Sequence, residues 1–464
     1  MDRRTFVKRG MLAGGALAVP GALGGLARLS RGLLPPDAAA VPPAGLGDGG
    51  YGPLVPAGDE LALPRGFTYR RFGTAGDPMS DGNLTPIAHD GMGAFATPGG
   101  KIRLLRNHEE DSGPIVAPIA AENAYDPRAG AGVVTLEVDP ESRELLRDFC
   151  SLNGTAVNCA GGETPWGSWL SCEETGEGPA QGFGRRHGYV FEVPSAAEGP
   201  VEPVPLRAMG RFEHEAVMVD PASGIVYLTE DIAYDPDDGL PGSGFYRFLP
   251  DRPGDLAAGG RLQVLAVEGA PGYLTVRGQR VGDRLPVTWL DLDDPDPPEV
   301  DADSSALFRH ALELGAAIFH RLEGAFWADG GGYFDATTGG DARRGQIWQY
   351  RPLPDGRGEL RLAFESPGPS VLNSPDNLCV SPRGGLVICE DPDGAAPFLR
   401  GLTPDGRIFD LAHNITSETE FTGACFSPDG RTLFVNFQGP NSVTERGDPG
   451  FTVAIWGPWE RGAL

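Results

Sequence analysis

The amino-acid sequence predicts an all-β protein that folds as a single β-propeller. Its 464 residues include 69 glycines and 44 prolines, a density that favours many short strands joined by turns. A degenerate unit also recurs, in which a glycine-containing turn precedes an apolar strand that ends in acidic or polar residues. Repeats of roughly 40–50 residues with several strands each are typical of propeller blades. Copies of the unit occupy 167–174, 224–231, 385–391 and 430–438.

The number of these units favours one closed propeller over a β-sandwich or a two-domain β-protein. In a propeller the innermost strand of each blade faces the central channel, so residues at the ends of these strands converge on the axis. Distant Glu, Asp and Asn side chains can thereby form one site. A helical insertion is predicted near residues 304–320, where apolar residues recur at i, i+3 and i+4 behind a candidate cap at Asp303.

The first residues match the twin-arginine export pattern. Arg3 and Arg4 are followed by Phe6 and Lys8, then by a weakly apolar stretch rich in glycine and alanine, and small residues at 38–40 suit a signal peptidase. We therefore predict that the twin-arginine export machinery is a partner and that the mature protein is periplasmic, cell-wall-associated or secreted. The predicted division of the chain is a signal peptide over 1–40, a Pro-, Gly- and Ala-rich linker or arm over 41–60, and the propeller over 61–464.

The charge of the chain excludes some classes of partner. The formal net charge is −26, and residues 1–40 contribute +4, so the remainder carries −30. Such an acidic surface argues against nucleic acid or anionic lipid as a partner and is compatible with clustered carboxylates that bind cations. The apolar part of the leader is too rich in glycine for a stable membrane anchor, and no other stretch is long and apolar enough to span a bilayer.

The six cysteines are too few for a disulfide scaffold and form no CxxC pair, which argues against a structural zinc site. Cys379 and Cys389 flank a turn and can either pair or remain free. Cys159 is different, because it lies in a glycine-rich segment followed by a short apolar strand and then by Glu173 and Glu174. This segment combines a soft ligand with hard oxygen ligands and suits a thiolate-binding transition metal beside a cation such as Ca²⁺. The alternative is a buried cysteine with surface carboxylates at a strand end.

Further candidate ligands lie beside predicted strands. Glu109 follows the strand at 102–105, Glu215 precedes a strand, and Asp231 ends one. Asp376 lies in the sequence Ser-Pro-Asp-Asn, whose Asp and Asn oxygens suit Ca²⁺. Arg321 and Glu323 follow the predicted helix; the guanidinium offers a planar fork of donors to phosphate oxygens, and the carboxylate can hold a cation that bridges the same phosphate.

In their order along the chain, these elements resemble those of the PhoX-type alkaline phosphatases, exported metalloenzymes with a β-propeller fold. The resemblance extends over roughly residues 61–457. It implies a six-bladed propeller that holds iron and calcium (Fe³⁺ and Ca²⁺) at the channel mouth. It also implies a thiolate ligand to iron from Cys159 and a catalytic, phosphate-binding role for Arg321 beside a catalytic Glu323. The predicted metal ligands are Cys159, Glu109, Glu173, Glu174, Glu215, Asp231, Glu323 and Asp376.

Two departures from the family pattern are visible, and the second bears on function. Leu322 stands where the family has proline, which affects the loop and neither functional group. The family also uses a lysine for phosphate, whereas this chain has only Lys8 and Lys101, and Lys8 belongs to the leader. Either an arginine replaces that lysine, Lys101 acts from an unexpected place, or phosphatase activity is weakened.

The sequence therefore predicts an exported, metal-dependent hydrolase of phosphoric esters. Bound cations would neutralise the phosphate of a small-molecule substrate and activate an oxygen nucleophile that attacks phosphorus. One alternative is a calcium-dependent lactonase or diesterase on the same propeller, for which replacement of Cys159 by serine should be nearly silent. A non-catalytic propeller that binds an anionic ligand is the other alternative.

Overall fold

The computed structural model describes residues 50–464. The predicted signal peptide over 1–40 and the first part of the predicted linker lie outside this range. Within it, residues 54–56 of the predicted linker or arm form a short strand that pairs with the strand at 61–64. Among the described residues, no helix has the length and apolarity needed to cross a membrane.

Residues 50–464 form 28 β-strands, one α-helix and four single-turn 3-10 helices. The first ten strands are β1 (Leu54–Pro56), β2 (Leu61–Pro64), β3 (Thr68–Phe72), β4 (His89–Ala96), β5 (Ile102–His108), β6 (Ala131–Val138), β7 (Leu145–Thr155), β8 (Asn158–Glu163), β9 (Ser168–Glu173) and β10 (Val190–Pro194). The next nine are β11 (His214–Val219), β12 (Val226–Glu230), β13 (Tyr234–Asp235), β14 (Leu240–Pro241), β15 (Phe245–Pro250), β16 (Gly260–Val267), β17 (Arg284–Leu292), β18 (Leu322–Ala328) and β19 (Gly331–Ala336). The last nine are β20 (Gln346–Pro352), β21 (Gly358–Glu365), β22 (Pro375–Val380), β23 (Leu386–Glu390), β24 (Phe398–Leu402), β25 (Ile408–Asn414), β26 (Phe421–Phe426), β27 (Thr432–Phe437) and β28 (Phe451–Trp456).

The structure confirms the predicted all-β, propeller-like fold. Four separate antiparallel sheets comprise β4 to β7, β8 to β10, β22 to β25 extended by β2 and β1, and β26 to β28 completed by β3. A fifth sheet has nine strands in the order β11-β12-β15-β16-β17-β21-β20-β19-β18. Because β3 near the start of the described chain pairs with β28 near its end, the first and last segments close one sheet. The predicted number of six blades is not established by this arrangement, since the nine-stranded sheet is continuous through β17.

Six strands lie at the edges of these sheets and surround a central channel. They are β4, β8, β11, β18, β22 and β26, and each contacts the next one around the ring, with β26 returning to β4. Apolar side chains pack between neighbouring sheets. Leu104 and Val134 of one sheet, for example, share a buried cluster with Phe434 and Ala454 of the adjacent sheet. The hydrophobic core therefore lies between the sheets, around the channel. The channel itself is left for side chains that do not belong to this core.

The single α-helix, α1, spans Ala306–Leu314 and is shorter than the predicted insertion near 304–320. It ends because Gly315 adopts the left-handed conformation (φ 102°), which favours glycine. The residue before the helix is Ser305, and Asp303 accepts hydrogen bonds from the Ser305 backbone N–H and hydroxyl. Asp303 thus fixes the segment that leads into the helix and is not its cap, which corrects the sequence prediction.

Candidate metal centre

All six strands of the ring bulge at the same end. Near the start of each, one extra residue interrupts the pairing with the following strand, and such a bulge re-aims the side chain it contains. Five of the bulges begin with a potential metal ligand, and Gly423 begins the sixth. The five ligands are Asp90, Cys159, Glu215, Glu323 and Asp376.

Four of the strands that pair with the inner strands supply carboxylates to the same end of the channel. Because the second strand runs antiparallel to the first, residues just after it lie beside the bulge. Glu420 comes instead from the segment that immediately precedes β26. The residues that follow second strands are Glu109 after β5, Glu174 after β9, Asp231 after β12 and Asp391 after β23. The convergence expected from propeller geometry therefore exists, at the mouth where the first strands begin.

One group of side chains combines sulfur and oxygen donors. The Cys159 Sγ and one carboxylate oxygen each of Glu174 and Glu215 lie within 4.8 Å of one another, and all three residues are buried. The Cys159 thiol donates to the His214 carbonyl at 3.1 Å. Within residues 50–464, the buried Glu215 Oε2 has no hydrogen-bond partner. Because a buried carboxylate oxygen is costly to leave unsatisfied, this donor set fits a thiolate-binding cation.

A second group contains only oxygen donors. Carboxylate oxygens of Asp376, Asp391 and Glu420 lie within 4.8 Å of one another. Among the described residues, the buried Glu420 Oε2 also lacks a hydrogen-bond partner. A set of three carboxylates without nitrogen or sulfur fits a hard cation such as Ca²⁺. The structure thus places a mixed-donor group and an all-oxygen group at one channel mouth.

The two groups form one electrostatic unit. Burial raises the pKa of Glu215 well above its ordinary range, and Glu174 and Glu323 raise it further. Burial likewise raises the pKa of Glu420, with a further contribution from Asp391. In Asp90, which also lies in this unit, burial is again the largest cause, followed by Asp376 and Glu174. So many buried carboxyl groups can ionise together only when positive charge accompanies them.

Arg321 is the basic side chain that the structure places among these carboxylates. Its Nη2 lies 3.1 Å from Asp231 Oδ2 and 2.5 Å from Glu323 Oε1. Its backbone is left-handed (φ 53°), which is unfavourable for a residue with a side chain, and such strained positions cluster at functional sites. Within residues 50–464, the guanidinium makes these contacts through Nε and Nη2, and no hydrogen bond of Nη1 is seen. One side of the fork therefore remains for an anion.

Two predicted ligands lie at the border of the cluster. Asp231 pairs with Arg321 and contributes to raising the pKa of Glu323, after burial. Glu109 accepts a hydrogen bond from Gln438 Nε2 at 2.7 Å. It is close enough to Glu420 to raise the pKa of that carboxyl. Neither belongs to the two compact groups, so both are placed to support the cluster from its edge.

Glu173 lies outside the cluster, which corrects its prediction as a ligand. Its carboxylate accepts hydrogen bonds from the backbone N–H groups of Ala156, Gly188 and Tyr189 at 2.8–3.1 Å. It also contacts His187 Nδ1 at 2.6 Å. Because successive side chains of a strand point to opposite faces, Glu173 and Glu174 cannot both face the channel. Glu173 is therefore a structural group that orders the segment after β9.

These two neighbours offer a matched pair of variants. Glu174→Gln is expected to weaken cation binding with little effect on folding. Glu173→Gln is expected to lower the free energy of unfolding by about 1.5–3 kcal/mol, the range for a hydrogen bond to a charged group. Burial opposes the charged form of His187, yet Glu173 and Asp126 raise its pKa to about 9. The negative charge of Glu173 therefore stabilises the buried imidazolium of His187. Metal content and denaturant unfolding of both variants measure the two effects; a metal loss confined to Glu173→Gln would contradict the assignment.

Lys101 is remote from the cluster. It follows the turn between β4 and β5, and its ammonium lies 3.3 Å from Glu137. Asp90 is the second residue of β4, and the six residues of that strand after it span roughly 20 Å at the usual rise of a strand. Lys101 is therefore too far away to bind the phosphate in place of the family's lysine.

Asp90 and Glu420 were not predicted from the sequence, whereas Asp391 lies at a strand end where a further ligand is expected. A shared local signal was present: in four of the five bulges the ligand is followed by glycine or alanine. A small residue is needed because the neighbouring inner strand leaves no room for a larger side chain. A Cβ on Gly91 would lie 2.6 Å from the Ala160 Cα, and one on Gly324 would lie 2.8 Å from the Asn377 Cα. The pairs are Asp90–Gly91, Cys159–Ala160, Glu215–Ala216 and Glu323–Gly324.

Once its bound cations are removed, the protein is expected to become less stable as the pH rises from about 5 to about 8. Burial, and then Asp391, raise the pKa of Asp376 from 3.8 to about 8 in the cation-free cluster. Between these values the folded state binds more protons than the unfolded state, so the free energy of unfolding falls with rising pH. Melting temperatures of chelator-treated protein at pH 5 and pH 8 measure this effect. Calcium should restore stability most strongly at pH 8, and a chelated protein that is more stable at pH 8 than at pH 5 would contradict the expectation.

Comparison with known proteins adds an independent line of evidence. The family model described as alkaline phosphatase PhoX matches residues 49–148 and 141–441. Among solved structures, the chain is similar to Pseudomonas fluorescens PhoX in complex with vanadate, a transition state analogue. The identity is 20% and the TM-score 0.65, over 89% of this chain and 98% of that chain. At this identity the likeness shows the fold.

Other solved structures are more distant. A putative gluconolactonase is 15% identical with a TM-score of 0.40, over 85% of this chain and 94% of that chain. A periplasmic gluconolactonase from Pseudomonas aeruginosa is 14% identical with a TM-score of 0.36, over 74% of this chain and 77% of that chain. These scores are too low to bear on function. No curated protein sequence matches the chain.

Proposed function

Because the chain belongs to the PhoX alkaline phosphatase family, we propose that it is an exported, metal-dependent hydrolase of phosphoric esters. The observation that carries the metal dependence is the pair of donor groups at one channel mouth, in which Cys159, Glu174 and Glu215 lie beside Asp376, Asp391 and Glu420. A calcium-only lactonase has no use for a thiol in this position. The mixed-donor group therefore favours the phosphatase over the calcium-dependent alternatives.

Different cations suit the two groups. The thiolate of Cys159 with two carboxylates suits iron, and the three carboxylates suit calcium. When bound, these cations supply the positive charge that neutralises a phosphoryl group and activates an oxygen nucleophile for in-line attack. We propose Fe³⁺ and Ca²⁺ as the cofactors, with Asp90 and Glu323 adjoining both groups and with Glu109 and Asp231 supporting them from the edge.

Arg321 is proposed to bind the phosphate in place of the absent lysine. Asp231 and Glu323 hold the guanidinium through Nε and Nη2, and its Nη1 side can donate to a phosphate oxygen. Glu323 is thereby a positioning residue for Arg321 and also a carboxylate of the cluster. An oriented arginine next to cations stabilises the negative charge of a phosphoryl group without reorganising during the reaction.

We further propose that the fold has six blades. The ring of six inner strands supports this number, with β17 joining two blades of the nine-stranded sheet through its pairing with both β16 and β21. The twin-arginine pattern within residues 1–40 supports export to the periplasm, the cell wall or the medium. A phosphorylated small molecule is the proposed substrate.

Hydrolysis of 4-nitrophenyl phosphate, measured with and without a chelator, tests the proposal. The expected result is turnover that the chelator abolishes and that added calcium and iron restore. A simple aryl lactone and bis(4-nitrophenyl) phosphate serve as comparison substrates. Turnover of the lactone without release of phosphate from the monoester would contradict the proposed function and favour the lactonase.

A further inference from the structure

The central channel contains a second feature at the end opposite the carboxylate cluster. A cavity of about 230 Å³ is enclosed by the later residues of the six inner strands and opens among the turns that follow them. Its walls begin just beyond the bulges, at residues such as Gly161, Val217 and Ala325. The volume corresponds to roughly eight water molecules at ~30 Å³ each. The cavity can therefore hold a small organic molecule.

The lining of the cavity is mainly apolar and aromatic. It includes Trp169, Trp327, Phe326, Met92 and Met218. The indole N–H of Trp169 donates to Asn107 Oδ1 at 2.8 Å, and the Trp327 ring stacks on Tyr227 at a centroid distance of 5.3 Å. These contacts fix both indoles before any ligand arrives. Preorganised aromatic walls reduce the entropy lost when a ligand binds.

One carboxyl group, that of Glu163, lines this apolar cavity. Its Oε1 accepts a hydrogen bond from the Ala94 N–H at 2.8 Å, which holds the side chain in place. Burial of the carboxyl group raises the pKa of Glu163 to about 7, although part of the residue remains exposed. None of the residues that line the cavity, all of which lie in the described part of the chain, is an arginine, lysine or histidine. The cavity thus offers one negatively charged group and no basic side chain in its lining.

We propose that this cavity binds a small organic ammonium ion that carries an aromatic or aliphatic group. The carboxylate of Glu163 complements the ammonium charge, the indoles of Trp169 and Trp327 in the lining add aromatic surface that favours a cation, and the apolar walls enclose the attached group. An anionic ligand is disfavoured by the same carboxylate. This inference does not depend on the phosphatase function, because the cavity and the carboxylate cluster occupy different ends of the channel.

Titration of the metal-loaded protein with three probes of similar size tests the proposal. The probes are 2-phenylethylammonium, the neutral 2-phenylethanol and the anionic 3-phenylpropionate, and binding is measured by calorimetry and tryptophan fluorescence at pH 8. The ammonium ion is expected to bind at least tenfold more tightly than the alcohol, and the anion least tightly. Equal or tighter binding of the alcohol, or binding of none of the probes up to millimolar concentrations, would overturn the proposal.

Glu163→Gln is the matched variant, because the amide keeps an acceptor for the Ala94 N–H and removes the charge. It should lose the tenfold preference for the ammonium ion, bind the alcohol as the unaltered protein does, and retain its metal content as evidence of folding. If the variant still prefers the ammonium ion by the same factor, the ion binds elsewhere, for instance at the carboxylate cluster, and the proposal fails. Comparison of the three probes on the unaltered protein tests the proposal independently of this variant.

Discussion

Cys159→Ser is expected to lower phosphatase activity by more than roughly 100-fold, because even outer-shell changes at metal sites cost 10- to 100-fold in metal affinity or activity. Serine presents a neutral hydroxyl where the proposed centre requires a thiolate, and the hydroxyl does not ionise near neutral pH. The fold should tolerate the change, since the hydroxyl can donate to the His214 carbonyl as the thiol does. Activity on 4-nitrophenyl phosphate and the iron content per chain measure the effect.

Cys172→Ser is the matched control for this prediction. Cys172 is a fully buried free cysteine on the neighbouring strand and belongs to neither donor group. Its replacement introduces the same buried hydroxyl without touching the proposed ligands, so stability should fall while metal content stays unchanged. Equal loss of iron in both variants would mean that packing, and not thiolate coordination, explains the effect.

Replacement of Arg321 is expected to have the second large effect. Arg321→Lys keeps the positive charge and loses the planar fork, so kcat/KM should fall by roughly 100- to 1,000-fold, or about 2.7–4 kcal/mol, as for loss of one preorganised donor to a developing anion. Arg321→Ala should in addition destabilise the protein, because Asp231 and Glu323 would lose the cation between them. Steady-state kinetics combined with denaturant unfolding separate the two effects.

Asp231→Asn tests whether Asp231 only holds Arg321 in place while Arg321 itself binds the phosphate. This variant removes one of the two carboxylates that hold Arg321 and leaves the guanidinium in place. A moderate fall in kcat/KM, smaller than that of Arg321→Lys, is expected because Glu323 still holds the fork. If Arg321→Lys retained full activity, the phosphate would have to be held by another group, and the proposed role of Arg321 would be wrong.

The general fold followed from local patterns in the sequence, whereas the joining of the sheets did not. Glycine turns and apolar strands predicted short antiparallel strands correctly. The nine-stranded sheet depends on β17, which pairs with β16 close in sequence and with β21 some 70 residues later, and local periodicity contains no information about such a partner. The helix was predicted in the right place but too long, because the left-handed Gly315 ends it.

The candidate site was predictable where a motif surrounded the ligand. Cys159, Glu215, Glu323 and Asp376 lie in such segments, and all four occupy bulges of the inner strands. Glu420 precedes a strand as an isolated acid, and that pattern is common on solvated surfaces.

The choice between Glu173 and Glu174 depended on tertiary structure. Side-chain alternation separates the two carboxylates, but the position of His187 after β9 decides which of them faces away from the channel. Only the folded structure supplies that position.

Elemental analysis of the natively folded protein tests the central claim most directly. The account predicts that each chain contains both iron and calcium, held by the mixed-donor group and the all-oxygen group. Calcium alone, with iron absent from protein that is folded and active, would contradict the assignment of Cys159 as a metal ligand and with it the proposed centre.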